Sequence, residues 1–409
     1  MKSNRINLIN VCHINTNQGE DTFVGIRMQE GEIRVCFPLG YRLEKDDKGI
    51  RRDVLHLLKV LKRFSNVIRE KDGAQNNYEL IEGFPYIAYQ KVILNYLDFG
   101  YYAEKEVTYR VGKRGKINWN KTIKTQSPVV IDNRIGYFNF SIKNINSSKE
   151  NIITFIHEFC IYESIYRLGW LYNISLPQKP RLKFEKGLFL NALLEKLRVT
   201  FDDNTKELIK NMIEIISCLN SDGDANRNFG YGTNRFEYVW ERLIDYVYGT
   251  SDKADYFPKT SWSLNNGNEK INSPLEPDTI MLLNHNVYIL DAKYYKYGAT
   301  GLIAHLPETA SISKQITYGE YVEKNKECIK EIYNAFIMPY DKESLFFSEN
   351  LNVKVIGEAT ADWKSNFKRY ERVVGVLIDV KDIMFKYNRE NKDVIENLAS
   401  CIEKQINNQ

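Results

Sequence analysis

The chain has 409 residues, 43% of them hydrophobic and 27% charged, which is enough apolar material for more than one core and excludes wholesale disorder. Fifty-seven basic residues against 53 acidic ones leave a net charge of only +4, so overall charge does not single out nucleic acid as a partner. No apolar run approaches the length of a bilayer span and the start Met1-Lys-Ser-Asn-Arg5 is polar, so an intracellular chain with no membrane partner is expected.

Three regions follow one another. Residues 1–80 read as a small α+β module, a candidate unit for recognition or partner docking. Its alternating segments Thr22–Ile26 and Glu32–Phe37 predict strands, and Val54, Leu55, Leu57, Leu58, Val60, Leu61 and Phe64 give Arg52–Glu70 the apolar face of a helix. The polar stretch Lys71–Asn77 reads as a linker. In residues 81–225 a helix near Pro85–Leu97 precedes a basic stretch, in which Lys105–Lys124 carries seven basic residues and the single acid Glu106. With Tyr109, Trp119 and two glycines interleaved, that stretch either tracks phosphates, through Lys113, Arg114 and Lys116, or is a solvated hairpin. Helices near Ile152–Leu168, Lys186–Val199 and Lys206–Leu219 follow, and Asp222–Asn226 marks a boundary.

Residues 226–409 predict an α/β core with a mixed sheet flanked by helices, in a chain that is α+β overall. Helix Asn234–Tyr248 has apolar residues at helical spacing, and Asn234 with Glu237 predicts a capping box. Glu241 lies at the border of its apolar stripe, either solvated or turned to a site. Strands are expected around Pro277–Leu283 and Val287–Lys293 with Asn284–Asn286 as a hairpin turn, then a helix Ile312–Val322 and strands Ile332–Met338, Val353–Gly357 and Val373–Val380. Glu403–Gln409 reads as a frayed tail.

The chemistry gathers at the hairpin. Asp291 and Lys293 alternate onto one face of their strand, roughly 7 Å apart along the chain, and Asp278 stands thirteen residues before Asp291. Two carboxylates suit a hard cation such as Mg²⁺, and an adjacent amine suits a developing negative charge on a phosphodiester. Gln315 and Tyr318 share a helix face, where they either meet a nucleic-acid backbone and its water or bond within the fold. His157-Glu158 lacks the second histidine of a zinc-protease helix, His285 falls in the turn, and the six scattered cysteines have neither zinc nor disulfide spacing.

Pro277-Asp278 with Asp291-Ala-Lys293 resembles the signature of PD-(D/E)XK nucleases. The ordered set Tyr231–Glu241, Glu276-Pro-Asp278, Ile289–Tyr295, Lys314-Gln315 with Tyr318, and Tyr333–Pro339 resembles the LlaJI family of restriction endonucleases, related to McrC-type nuclease subunits. Weaker similarity reaches Arg114–Ile123 and Phe37–Tyr41. The resemblance implies Asp278, Asp291 and Lys293 as the catalytic triplet, Glu241 as an added catalytic acid that also meets the metal, and Gln315 as the catalytic glutamine that often follows in such nucleases. Ser313 stands where an acid is expected two residues before the Lys-Gln pair.

It further implies Mg²⁺-dependent hydrolysis of double-stranded DNA against foreign DNA, in a bacterial or archaeal cytoplasm, with a homo-oligomer among the expected partners. The absence of a GxxxxGK[ST] phosphate loop leaves room for a separate McrB-like AAA+ GTPase in a modification-dependent complex. A non-catalytic DNA-binding or assembly subunit is the remaining alternative.

Overall fold

The computed structural model describes residues 8–29, 32–71, 85–131, 134–148, 151–220, 229–347, 349–387 and 392–407. Of the linker expected over Lys71–Asn77, Lys71 ends a helix and the rest lies outside them, as does the boundary at 222–226. The chain is mixed α/β and divides into two compact units, Gly83–Arg227 and a discontinuous one made of Met1–Glu82 with Asn228–Gln409. Among the described residues no helix is long and apolar enough to cross a membrane.

The discontinuous unit is built on a five-stranded sheet. Thr279–Leu283 and Asn286–Ala292 form an antiparallel hairpin; Glu331–Tyr340 runs parallel to the second strand, and Val373–Asp379 runs parallel to Glu331–Tyr340. Val353–Ala359 closes the far edge antiparallel, with a register shift between Val355 and Gly357. The hairpin turns on Asn284 and His285 alone, both with positive φ (51° and 64°), as a tight two-residue connection whose twist matches its strands requires. Asn286 belongs to the strand, and the His285 carbonyl accepts from the Lys330 amide at 2.9 Å.

A parallel pair needs a crossover, and helix Thr309–Asn325 supplies it between Asn286–Ala292 and Glu331–Tyr340. Val287 and Ile289 pack with Tyr318 and Val322 of that helix, while Tyr288, on the opposite face, hydrogen-bonds Glu403 of helix Lys392–Asn407. Both faces of the strand are covered, which is why it reads as an almost unbroken apolar run. Residues Glu403–Asn407 of the expected tail are therefore not frayed, since the helix continues to Asn407 with Leu398, Ile402 and Ile406 buried; 408 and 409 lie outside the described residues.

A second sheet joins the two ends of the unit. Cys12–Ile14 pairs with Glu32–Phe37, which pairs with Val24–Gln29, and that strand pairs with Phe229–Thr233. Helix Phe236–Tyr248 follows directly and starts two residues later than the expected Asn234, at the first residue of its apolar stripe. The capping box does not form, because the Glu237 carboxylate is taken by the Arg235 guanidinium and Thr233 Oγ1 receives the Arg235 amide at 3.0 Å. Helix Asp47–Lys71 runs longer than its apolar pattern and carries Asp53, fully buried against Lys381 at 2.7 Å.

The other unit combines a three-stranded sheet, Glu104–Gly112, Phe140–Ser148 and Lys116–Ile117 in that order, with helices Tyr86–Phe99, Ile152–Tyr172, Lys186–Val199 and Asp203–Cys218. A short helix, Trp119–Thr125, stands where the sequence suggests only extended chain; the Asn118 side chain caps it by accepting from the Lys121 amide at 3.0 Å. His157 is buried on its helix rather than facing solvent, and its Nδ1 accepts from the Tyr102 amide at 2.9 Å. Burial lowers its pKa to about 4, so it is a neutral core histidine.

Candidate active site

The antiparallel register pairs Thr279 with Leu290, which sets Asp278 opposite Asp291 one step beyond the hydrogen-bonded ladder. Residues facing each other across antiparallel strands project to the same side, so the two carboxyls meet at the sheet edge and share a hydrogen bond. Asp278 Oδ2 also accepts from the Ala292 amide at 2.9 Å, which fixes the carboxyl against the partner strand. Lys293 completes the face: its Nζ lies 2.6 Å from Asp291 Oδ2, and its amide donates to the Ile337 carbonyl at 2.9 Å. Asp291 is only 5% exposed, so this ion pair is held largely out of water.

The electrostatics follow from crowding. Burial, then the charges of Asp291 and Glu241, then the hydrogen bond to Asp291 raise the Asp278 pKa from 3.8 to about 8. Burial works against the Lys293 charge, but Asp291 and Asp278 outweigh it and the amine titrates above its ordinary value. The edge thus has an acid that burial and the neighbouring carboxylates of Asp291 and Glu241 make reluctant to lose its proton. Among the described residues no group of three or more His, Cys, Asp or Glu side chains is gathered for a metal. Two facing carboxylates are nevertheless the donor set that suits Mg²⁺, which keeps several waters and binds through one or two carboxylates together with substrate phosphates.

Other predicted residues fall in different places. Glu241, half-buried on helix Phe236–Tyr248, is near enough for its charge to act on Asp278 but does not join Asp278 and Asp291 in a three-carboxylate cluster. Gln315 is 1% exposed and donates to the Ile289 carbonyl at 2.6 Å. It ties the crossover helix to the strand that carries Asp291, so the reading as a buried internal bond is the one realised. Tyr318 is fully buried among Ile280, Val287 and Ile289 and does not present itself to a nucleic acid, although the charges of Asp291 and Asp278 add to burial in raising its hydroxyl pKa. Lys113, Arg114 and Lys116 are exposed in unit Gly83–Arg227.

Several positioning residues carry no motif of their own. Lys253 Nζ donates to the Asp278 carbonyl at 2.8 Å and to Asp245 Oδ2 at 2.7 Å, anchoring the backbone of the first acid. Trp240 Nε1 donates at 3.2 Å to the Ile337 carbonyl that also receives the Lys293 amide. The buried Tyr294 hydroxyl accepts from the Leu39 amide at 2.7 Å, which ties Phe37–Tyr41 to the segment that follows Asp291 and Lys293. Asn334 holds the crossover, donating to the carbonyls of Gln315 (2.9 Å) and Tyr370 (2.6 Å). Only the standing of Trp240 beside Glu241 and of Tyr294 beside Lys293 hints at these roles in the sequence. A cavity of about 340 Å³ is lined among others by Asn17, Tyr294, Tyr295, Lys296 and His305, and none of Asp278, Asp291 and Lys293 lines it.

A mixed sheet flanked by helices, with paired carboxylates and a lysine at its end, is consistent with an α+β nuclease-like fold. The family model for the LlaJI restriction endonuclease matches residues 23–381, and the chain belongs to that family. The Type II restriction enzyme BsuMI component YdjA of Bacillus subtilis (strain 168) is 24% identical over 366 residues, covering 83% of this chain and 76% of that protein. A chain in the solved tetradecameric assembly of Thermococcus gammatolerans McrB AAA+ hexamers with bound McrC is 13% identical, with a TM-score of 0.34, over 91% of this chain and 83% of that one.

Proposed function

We propose that this restriction endonuclease family member hydrolyses phosphodiester bonds of double-stranded DNA in a Mg²⁺-dependent reaction directed at foreign DNA. The observation that carries the reading is the meeting of Asp278 and Asp291 across the end of the hairpin with the Lys293 amine 2.6 Å from Asp291. Asp278 and Asp291 would hold the cation. When bound, it supplies positive charge to the reacting phosphate and a more acidic water.

Lys293 keeps its proton under its two acidic neighbours, so it acts as a fixed cation that orients the attacking water or the phosphate oxygen. Glu241 adds negative charge behind Asp278 and strengthens the pair's attraction for a cation. Gln315 serves the chemistry indirectly, by holding the strand.

The test is cleavage of plasmid DNA by purified protein with any required partner chain, with Mg²⁺ and with EDTA. Cleavage should need the metal and vanish in folded Asp291→Ala and Lys293→Ala variants; full activity in either sinks the assignment. A second reading, a subunit that cuts only within a larger complex, is favoured by the relative being named a component of its restriction enzyme. In that reading an AAA+ GTPase of the McrB type is the partner, and cleavage depends on GTP and on methylated DNA.

A further inference from the structure

We propose that the three-stranded sheet of unit Gly83–Arg227 is a second, phosphate-gripping DNA surface, separate from the carboxylate edge and resting on the reading that DNA is the substrate. In the register of its strands Tyr109 lies opposite Lys143, and Lys143 opposite Lys116, so all three side chains project from one face. Lys121, from the short helix that follows, reaches the same face and sits 4.1 Å over the Tyr109 ring. Lys113 and Arg114 are exposed in the connection between Gly112 and Lys116.

None of these five cations has a carboxylate partner among the described residues. Two lysines directly opposite each other across strands repel, and a fold selected for stability alone would place an acid or a neutral residue at one of them. Gly115, at φ +133°, packs so closely on Ile142 that a Cβ there would lie 2.4 Å from its Cγ2. The glycine therefore serves the tight connection that presents Lys113 and Arg114. An unbalanced cluster of cations around an aromatic ring, on an exposed sheet face, is the electrostatic footprint of a polyanion with phosphates at regular spacing.

The experiment measures binding of the full-length Asp291→Asn protein to duplex DNA, metal-free, over a range of salt concentrations. The comparison carries the further changes Lys113→Gln, Arg114→Gln, Lys116→Gln and Lys143→Gln. The slope of log affinity against log salt should fall in magnitude by about 0.9 for each cation that meets a phosphate, up to about 3.6. A companion Lys116→Gln/Lys143→Gln pair should melt no lower than the parent, since it removes a repulsion. Restoring the four charges as Arg, Lys, Arg and Arg should restore the slope. A slope change below about 0.9 overturns the inference, as it would if the face docks an acidic protein instead. The outcome is independent of the nuclease reading: wild-type cleavage with an unchanged slope defeats only this surface, and salt-dependent binding without cleavage defeats only the nuclease.

Discussion

Replacing Asp278 by Asn should stabilise the metal-free protein while abolishing cleavage, and the gain should grow with pH. In the fold Asp278 titrates near 8 rather than 3.8 because it is buried and faces Asp291. A carboxyl whose folded pKa lies above its unfolded value binds more protons folded than unfolded between the two, so stability falls as pH rises through that window. The slope is about 1.4 kcal/mol per pH unit, which over the two units from about pH 6 to about pH 8 amounts to at most about 3 kcal/mol. Asparagine keeps an oxygen for the Ala292 amide and offers Asp291 a permanent donor, so the variant avoids that loss. For a unit of this size the difference corresponds to roughly 5–10 °C in Tm. Thermal melts in EDTA at the two pH values, wild type against Asp278→Asn, read it directly. Mg²⁺ should raise the Tm of the wild type at the higher pH and leave the variant nearly unmoved. An equal Tm gap at both pH values, or a variant that melts lower at the higher one, refutes the crowded-carboxylate account.

Two further outcomes test the supports of the site. Gln315→Ala leaves the Ile289 carbonyl without its side-chain donor inside the core and should cost about 1–3 kcal/mol of stability by denaturant titration, with folded protein still cutting DNA. Lost cleavage at unchanged stability would return Gln315 to the chemistry. Lys381→Met strips the fully buried Asp53 of the ammonium at 2.7 Å and should destabilise the fold by about 3–5 kcal/mol, whereas Lys381→Met with Asp53→Leu should recover much of it; an undiminished melting temperature in the single variant contradicts a buried, paired role.

The sequence by itself determined most of the elements and which residues meet at the end of the hairpin. Periodicity placed the helix bearing Glu241, the hairpin and the crossover helix within a few residues, because each buries a continuous apolar stripe or run that leaves a regular trace. The alternation of a strand was enough to put Asp291 and Lys293 on one face. Tertiary structure alone decided the rest. Whether Gln315 and Tyr318 face a ligand or the core depends on which side of the crossover helix meets Ile289, and no local spacing records that choice. Lys253 reaches Asp278 across 25 residues, and Tyr294 reaches Leu39 across 255. The capping box at Asn234 failed because Arg235 competes for Glu237, and the last residues stay helical because Ile402 and Ile406 find a surface to cover. The acidity of Asp278 likewise follows from what surrounds it: its shifted pKa comes from burial, from the carboxylate opposite it and from Glu241, and these become neighbours only when the chain is folded.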